Sequence, residues 1–224
     1  GVTLVQCDLA DGDAGHIRIF ANTTAVTEFM PDILAQFLSG HPGVTVDLQE
    51  RLTRDIVRGV LDGTTDLGIV SGPVDADGLD KLHFSTDQLI LALPPGHPLT
   101  ARASLRFAEA MDYDYIGLHE GSTLATFRGG LMQKTRHKLH IRVQVSNFES
   151  VCRMVEAGVG IGIVPASAAR RHSHTMKIVT RPLDEPWALR ERYLLTRRGD
   201  SLPAFTQALI DAIVAFPEIG RAHV

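Results

Sequence analysis

The 224-residue chain is 44% hydrophobic, enough to build a real core and to argue against disorder. Its size fits one large domain or two small lobes. A formal charge of −4 and a pI near 6.2 argue against this chain holding nucleic acid by itself, because phosphate binding needs a clustered basic face.

From the N-terminus, GVTLVQCDLADGDAG has neither the basic nor the apolar segment of a secretory signal and does not begin with Met. The expectation is a fragment or processed product with a segment upstream. Residues 17–20 (IRIF) read as a strand. A helix follows, with Phe29, Ile33, Leu34, Phe37 and Leu38 at helical spacing, and Gly40 and Pro42 end it. Pro31 should bend it or break its first turns. Residues 44–48 (VTVDL) alternate as a strand. Thr53 offers a side-chain cap to a helix whose face is Ile56, Val57, Val60 and Leu61. Residues 66–70 (DLGIV) are a buried strand. This βαβαβ order implies a parallel sheet.

The second half repeats the pattern. YIGL (115–118) is a strand, and GSTLATFRGGLMQK a helix opened by Ser122 or Thr123. IRVQV (141–145) is a strand, SNFESVCRMVEAG a helix capped by Ser146 or Asn147, and VGIGIVP a final strand. Two extended segments, DQLILALPPGHPLT (87–100) and RYLLTRRG (192–199), cross between the halves as a hinge. A closing helix, LPAFTQALIDAIVAF, returns to the first. The expected fold is therefore α/β, with two similar doubly wound lobes joined by two crossover segments. Lobe 1 is read as 15–92 plus 198–220 and lobe 2 as 93–197.

Gly158, Gly160 and Gly162 invite a dinucleotide-binding reading, but that fingerprint needs strand, glycines, then helix. Here the helix comes first. Gly158 suits a left-handed helix end, and the other two allow a buried strand to pack closely. No nucleotide or other cofactor is expected. The histidine pairs 137/140 and 172/174 lack the Cys or carboxylate partners of a metal site and read as solvated, as do the arginines at 170–171 and 197–198. His119 precedes Ser122, yet no G-x-S-x-G elbow accompanies them. Trp187, read as part of a loop, has no assignable role. Cys152, among apolar neighbours, reads as a buried thiol in a reducing compartment, and no apolar run is long enough to span a membrane.

What remains is the set of strand-to-helix corners, because doubly wound sheets bind ligands outside the carboxyl ends of their strands. Asn22, Thr23 and Thr24, then Leu52 and Thr53, then Ser122 and Thr123, then Ser146, Asn147 and Phe148 stand at such corners. Pro165 and Ala166 open a last one. Hydroxyls, backbone N–H groups and helix dipoles converging there suit a small anion such as a carboxylate.

The stretch GHIRIF through GIVSGP, then LALPPGHPL, then VSNFESVCRMVEAGVGIGIVP resemble, in order and spacing, the effector-binding domain of LysR-type transcriptional regulators, from about Gly15 to Phe216. The resemblance implies a fold like type II periplasmic binding proteins, with a small effector between the lobes and no catalysis. It implies effector contacts at Thr23, Thr24 and Thr53, and in the second lobe at Ser122, Thr123, Phe127, Asn147 and Phe148, with Pro165 at the cleft edge. In that family an N-terminal winged helix-turn-helix and a linker helix bind DNA and dimerise. This sequence contains neither, so residues 1–14 are read as a remnant of the linker, and DNA contact is expected only through a domain upstream. A cytoplasmic homodimer or homotetramer is implied. Leu52, where many relatives have Gly or Asn, and Phe20, where Gly is common, make the first lobe's side of the cleft bulkier and less polar. The alternative reading is a periplasmic solute-binding protein of the same architecture, and a third is an enzyme on a similar scaffold.

Overall fold

The computed structural model describes residues 14–119 and 139–217. Strand β1 (Gly15–Ala21) lies at the centre of a parallel trio, with β2 (Val44–Glu50) on one side and β3 (Leu67–Ser71) on the other. The connections are α1 (Met30–Gly40) and α2 (Thr53–Asp62), so the βαβαβ reading of the first half holds. Strand β4 (Leu79–Leu93) and β9 (Leu189–Arg197) run antiparallel to each other, and β9 also pairs with β3. The far end of β4 passes between β7 (Gly162–Pro165) and β8 (Val179–Pro182). The whole sheet therefore reads β2-β1-β3-β9-β4-β7, with β8 also on β4. A parallel pair, β5 (Asp114–Leu118) and β6 (His140–Val145), completes the second half and meets the rest through a bridge from Tyr115 to Ile161. Its described helices are the short α3 (Phe107–Ala110), α4 (Phe148–Glu156) and α5 (Ala166–Ser173), and α6 (Ala204–Ala215) closes the chain.

A smaller apolar core of Ile56, Val60, Val70, Leu79 and Leu195 lies under α2, and two larger ones flank the β4/β9 crossing. One gathers Ile17, Ile19, Met30, Phe37, Leu67 and Ile69 with Leu209, Ile210 and Ile213 of α6. The other gathers Leu89–Leu93 with Tyr115, Ile116, Val151, Cys152, Ile163 and Val164. The Cys152 thiol is fully buried in it, and burial pushes its pKa up to about 11.

Several local readings need correction. Thr53 is the first residue of α2, and the cap position belongs to Leu52, whose carbonyl accepts from the Asp55 and Ile56 amides at 2.9 Å each. Strand β4 starts at Leu79, eight residues before the apolar run, because residues 79–86 pair with β9 while presenting mostly exposed side chains. His172 is buried in α5. Trp187 is not in an open loop, since it forms a T-shaped contact with Phe107 at 5.4 Å against the second core.

Other readings hold. The break expected near Pro31 is a π-helical turn at Ala25–Phe29, closed by the Met30 N–H on the Ala25 carbonyl, immediately before α1. Proline has no N–H to continue the ordinary ladder. Gly158 adopts φ +80 at the end of α4. A Cβ on Gly160 would lie 2.5 Å from the Asp114 carbonyl, and one on Gly162 would lie 2.5 Å from Val151 Cγ1. The glycines end a helix and let β5 and α4 close on a buried strand. The helix read at 121–134 lies outside the described residues.

Candidate functional site

The carboxyl ends of the parallel strands open onto one cavity of about 230 Å³. At the end of β1, the Asn22 side-chain carbonyl accepts from the Ala25 N–H at 3.0 Å, and its amide donates to Ser71 Oγ at 2.8 Å. One asparagine thus starts the helix and ties it to the end of β3. Thr23 donates its hydroxyl to Glu50 at the end of β2, and Thr24 is buried beside it. Across the cavity, Asn147 Oδ1 accepts from the Ser150 N–H at 2.8 Å and opens α4, leaving Phe148 packed on the second core. Pro165 stands before the first residue of α5.

Thr23, Thr24, Thr53, Asn147, Phe148 and Pro165 all line this cavity. Ser122, Thr123 and Phe127 lie outside the described residues.

Sequence reasoning missed the charged floor. The alternation of β9 places Arg190, Arg192 and Leu194 on one buried face, and both arginines reach the cavity. Two arginines spaced i, i+2 and in phase with a buried leucine are the signal that could have revealed them. Arg192 is ion-paired with Asp87 of β4, both buried, and donates to Ser85 Oγ at 3.1 Å and Ser167 Oγ at 3.3 Å. Ser167 in turn donates its hydroxyl to Asp87 at 2.5 Å, and the Gln88 N–H donates to the same carboxylate at 2.8 Å. Asp87 therefore neutralises a buried cation and holds the first turn of α5 to the crossing strands. A buried pair keeps its charge only with such additional hydrogen bonds. Arg190 lies over Gly72, where a Cβ would come within 2.1 Å of its guanidinium, and burial lowers its pKa. Gly72 also takes φ +84, so glycine is required there on two counts.

Behind the crossing lies a second cavity of about 250 Å³, walled by Phe29, Phe84, Leu189, Ile213 and Phe216, with Asp87 and Arg192 common to both. The corners of β1, β2 and β6 do not reach it, so the first cavity is the candidate site. Among the described residues no three metal-ligating side chains cluster, and no helix is long and apolar enough to cross a membrane.

A cleft between two doubly wound lobes, floored by two antiparallel crossing strands, defines a protein built like the type II periplasmic binding proteins. The family model for the LysR substrate binding domain matches residues 10–217, and the chain belongs to that family. A probable RuBisCO transcriptional regulator of Trieres chinensis is 28% identical over 183 residues, 77% of this chain and 59% of that protein. The chain spans about half to two thirds of the length of the curated relatives it matches. Among solved structures, the CcmR regulatory domain of Synechocystis PCC6803 in complex with 2-PG superposes with a TM-score of 0.81 at 23% identity, over 90% of this chain and 96% of that one. The effector binding domain of QuiR in complex with shikimate gives 0.74 at 20% identity, with the same coverage.

Proposed function

We propose that this domain senses a small anionic metabolite in the cleft and that, in a full-length regulator, the bound metabolite shifts the arrangement of upstream DNA-binding domains in a dimer or tetramer. A ligand acts in this way only through different affinities for two arrangements. The observation that carries the reading is convergence. The N-termini of the helices opened at Asn22, Leu52, Asn147 and Pro165 border one cavity that the buried Arg190 also lines, with Arg192 balanced there by Asp87. First-turn N–H groups and guanidinium donors favour an anion. We assign effector contacts to Thr23, Thr24, Thr53, Asn147, Phe148 and Pro165, with Ser122, Thr123 and Phe127 on the segment between β5 and β6. The lobes are taken to meet where β4 and β9 cross. Leu194 and Leu195 pack with the first lobe's strands, which supports a return crossing nearer Arg190 than residue 197.

A thermal-shift screen of small carboxylates and phosphates, with 2-PG and shikimate among them, tests this. A hit at 100 times its Kd should stabilise the domain by about 2.7 kcal/mol. Thr53→Ala and Ser122→Ala should each weaken that hit. Unchanged affinity in both folded variants would remove the cleft assignment.

A further inference from the structure

The π turn carries more than the cleft corner. Its Glu28 side chain is buried, and although Glu28 belongs to the first lobe, where the Thr27 hydroxyl donates to it at 3.3 Å, its ion-pair partner belongs to the second. Arg171 of α5 grips it with both Nε and Nη2. The distances are 3.1 and 2.9 Å from Nε to the two carboxylate oxygens, and 3.0 Å from Nη2. The partners are 143 residues apart in the chain. Neighbouring Phe29 lies under the Arg192 guanidinium at 4.9 Å and packs edge-on against Phe84 of β4 at 5.8 Å. One turn earlier, the Ala25 and Val26 amides are bonded to Asn22 at the cleft corner.

We propose that the Glu28–Arg171 pair is a latch that holds the two lobes in this arrangement, and that the π turn couples the latch to the cleft corner at Asn22–Thr24. Rotation of one lobe against the other would draw Arg171 away from this sunken carboxylate and break the two-pronged pair. The crossing strands hold the lobes together at Asp87–Arg192, and the latch fixes the angle between them. A five-residue π turn is the natural place for strain to move along the helix, because its i→i+5 bonding can shift toward the ordinary ladder. The latch does not depend on the proposed effector. Its role in regulating the cleft does.

The test needs no ligand. Nitroxide labels at Arg58→Cys on α2 and Arg153→Cys on α4, both exposed, report the interlobe distance in the 224-residue chain with Cys7→Ser. The parent should give one narrow distribution. Glu28→Gln and Arg171→Gln should broaden it or shift its mean, while Arg18→Gln, which removes an ion pair to Asp66 inside the first lobe, should leave it unchanged. Amide exchange at Ala25 and Val26 should speed up about five- to tenfold in the latch variants, the size expected for one half-exposed ion pair. If Arg171→Gln does not fold, Arg171→Lys, which keeps the charge but loses the two-pronged grip, should show the same change to a lesser degree. A parent-like distance distribution in the folded latch variants overturns the latch. A changed distance with parent-like exchange at Ala25 and Val26 overturns the coupling.

Discussion

The Asp87–Arg192 pair on the crossing strands and the Glu28–Arg171 pair between the π turn and α5 differ in how much water each has lost. Asp87–Arg192 is buried at both ends and woven into hydrogen bonds with Ser85, Gln88 and Ser167. Glu28–Arg171 buries only the acid and leaves the arginine about half exposed. The first sits on the crossing strands, which any interlobe motion must leave intact, and the second lies off the crossing, where motion has its lever. Under the proposed latch, the same charge chemistry serves as a fixed tie where it is dry and as a reversible contact where it is half wet.

The largest test of that contrast is Asp87→Ala. It leaves Arg192 buried without its carboxylate and removes the acceptor for the first turn of α5, so urea unfolding should show a loss of about 3–5 kcal/mol. A loss comparable to that of an ordinary surface pair would erase the distinction. Arg171→Ala should cost about 1 kcal/mol by the same measurement, although it strands a buried acid, because Glu28 can regain water when the lobes part. Asn147→Ala should cost about 1 kcal/mol or less, since among the described residues that side chain caps its own helix and nothing else. Asn22→Ala should cost more, because it also strands Ser71.

Smaller still is the effect of acid. His172 is buried next to Arg171, and burial, reinforced by that cation, lowers its pKa, while Glu28 and Glu149 oppose the shift. At pH 8 the ring is neutral in both folded and unfolded chains. As pH falls through about 6.5, the unfolded chain takes up a proton that the folded one resists, so stability falls. His97, also lowered by burial, acts in the same direction. Thermal midpoints should drop between pH 8 and pH 6, and His172→Gln should drop less. An equal drop would show that the ring is not held neutral. The mildest perturbation is salt. Raising NaCl from 0.05 to about 0.5 M, which shortens the screening length severalfold, should reduce the cost of Arg171→Ala while leaving that of Asp87→Ala almost unchanged.

Much of the fold was legible because its signals are local. The apolar spacing of Ile33, Phe37, Ile56 and Val60 and the order of strands and helices are enough for a doubled α/β architecture, and of the two cap candidates Ser146 and Asn147 the structure selects Asn147. The helix that precedes Gly158 and Gly160 marks them as structural. The polar first half of β4 was not legible, since a strand whose side chains face water is made by its neighbour's hydrogen bonds rather than by its own pattern. The Thr53 cap was misplaced by one residue because the Leu52 carbonyl, which has no residue-type signature, starts that helix.

The cleft divides in the same way. Its rim of Thr23, Thr24, Thr53, Asn147, Phe148 and Pro165 follows from where strands hand over to helices, which short-range chemistry dictates. Its floor, where Asp87 meets Ser167 and Arg192, and the reach of Arg171 to Glu28 depend on partners 80 to 143 residues away. The elements and the corners are written in local residue chemistry. Which charges are buried together depends on segments far apart in the chain, because a charge enters an apolar interior only where the fold supplies its partner.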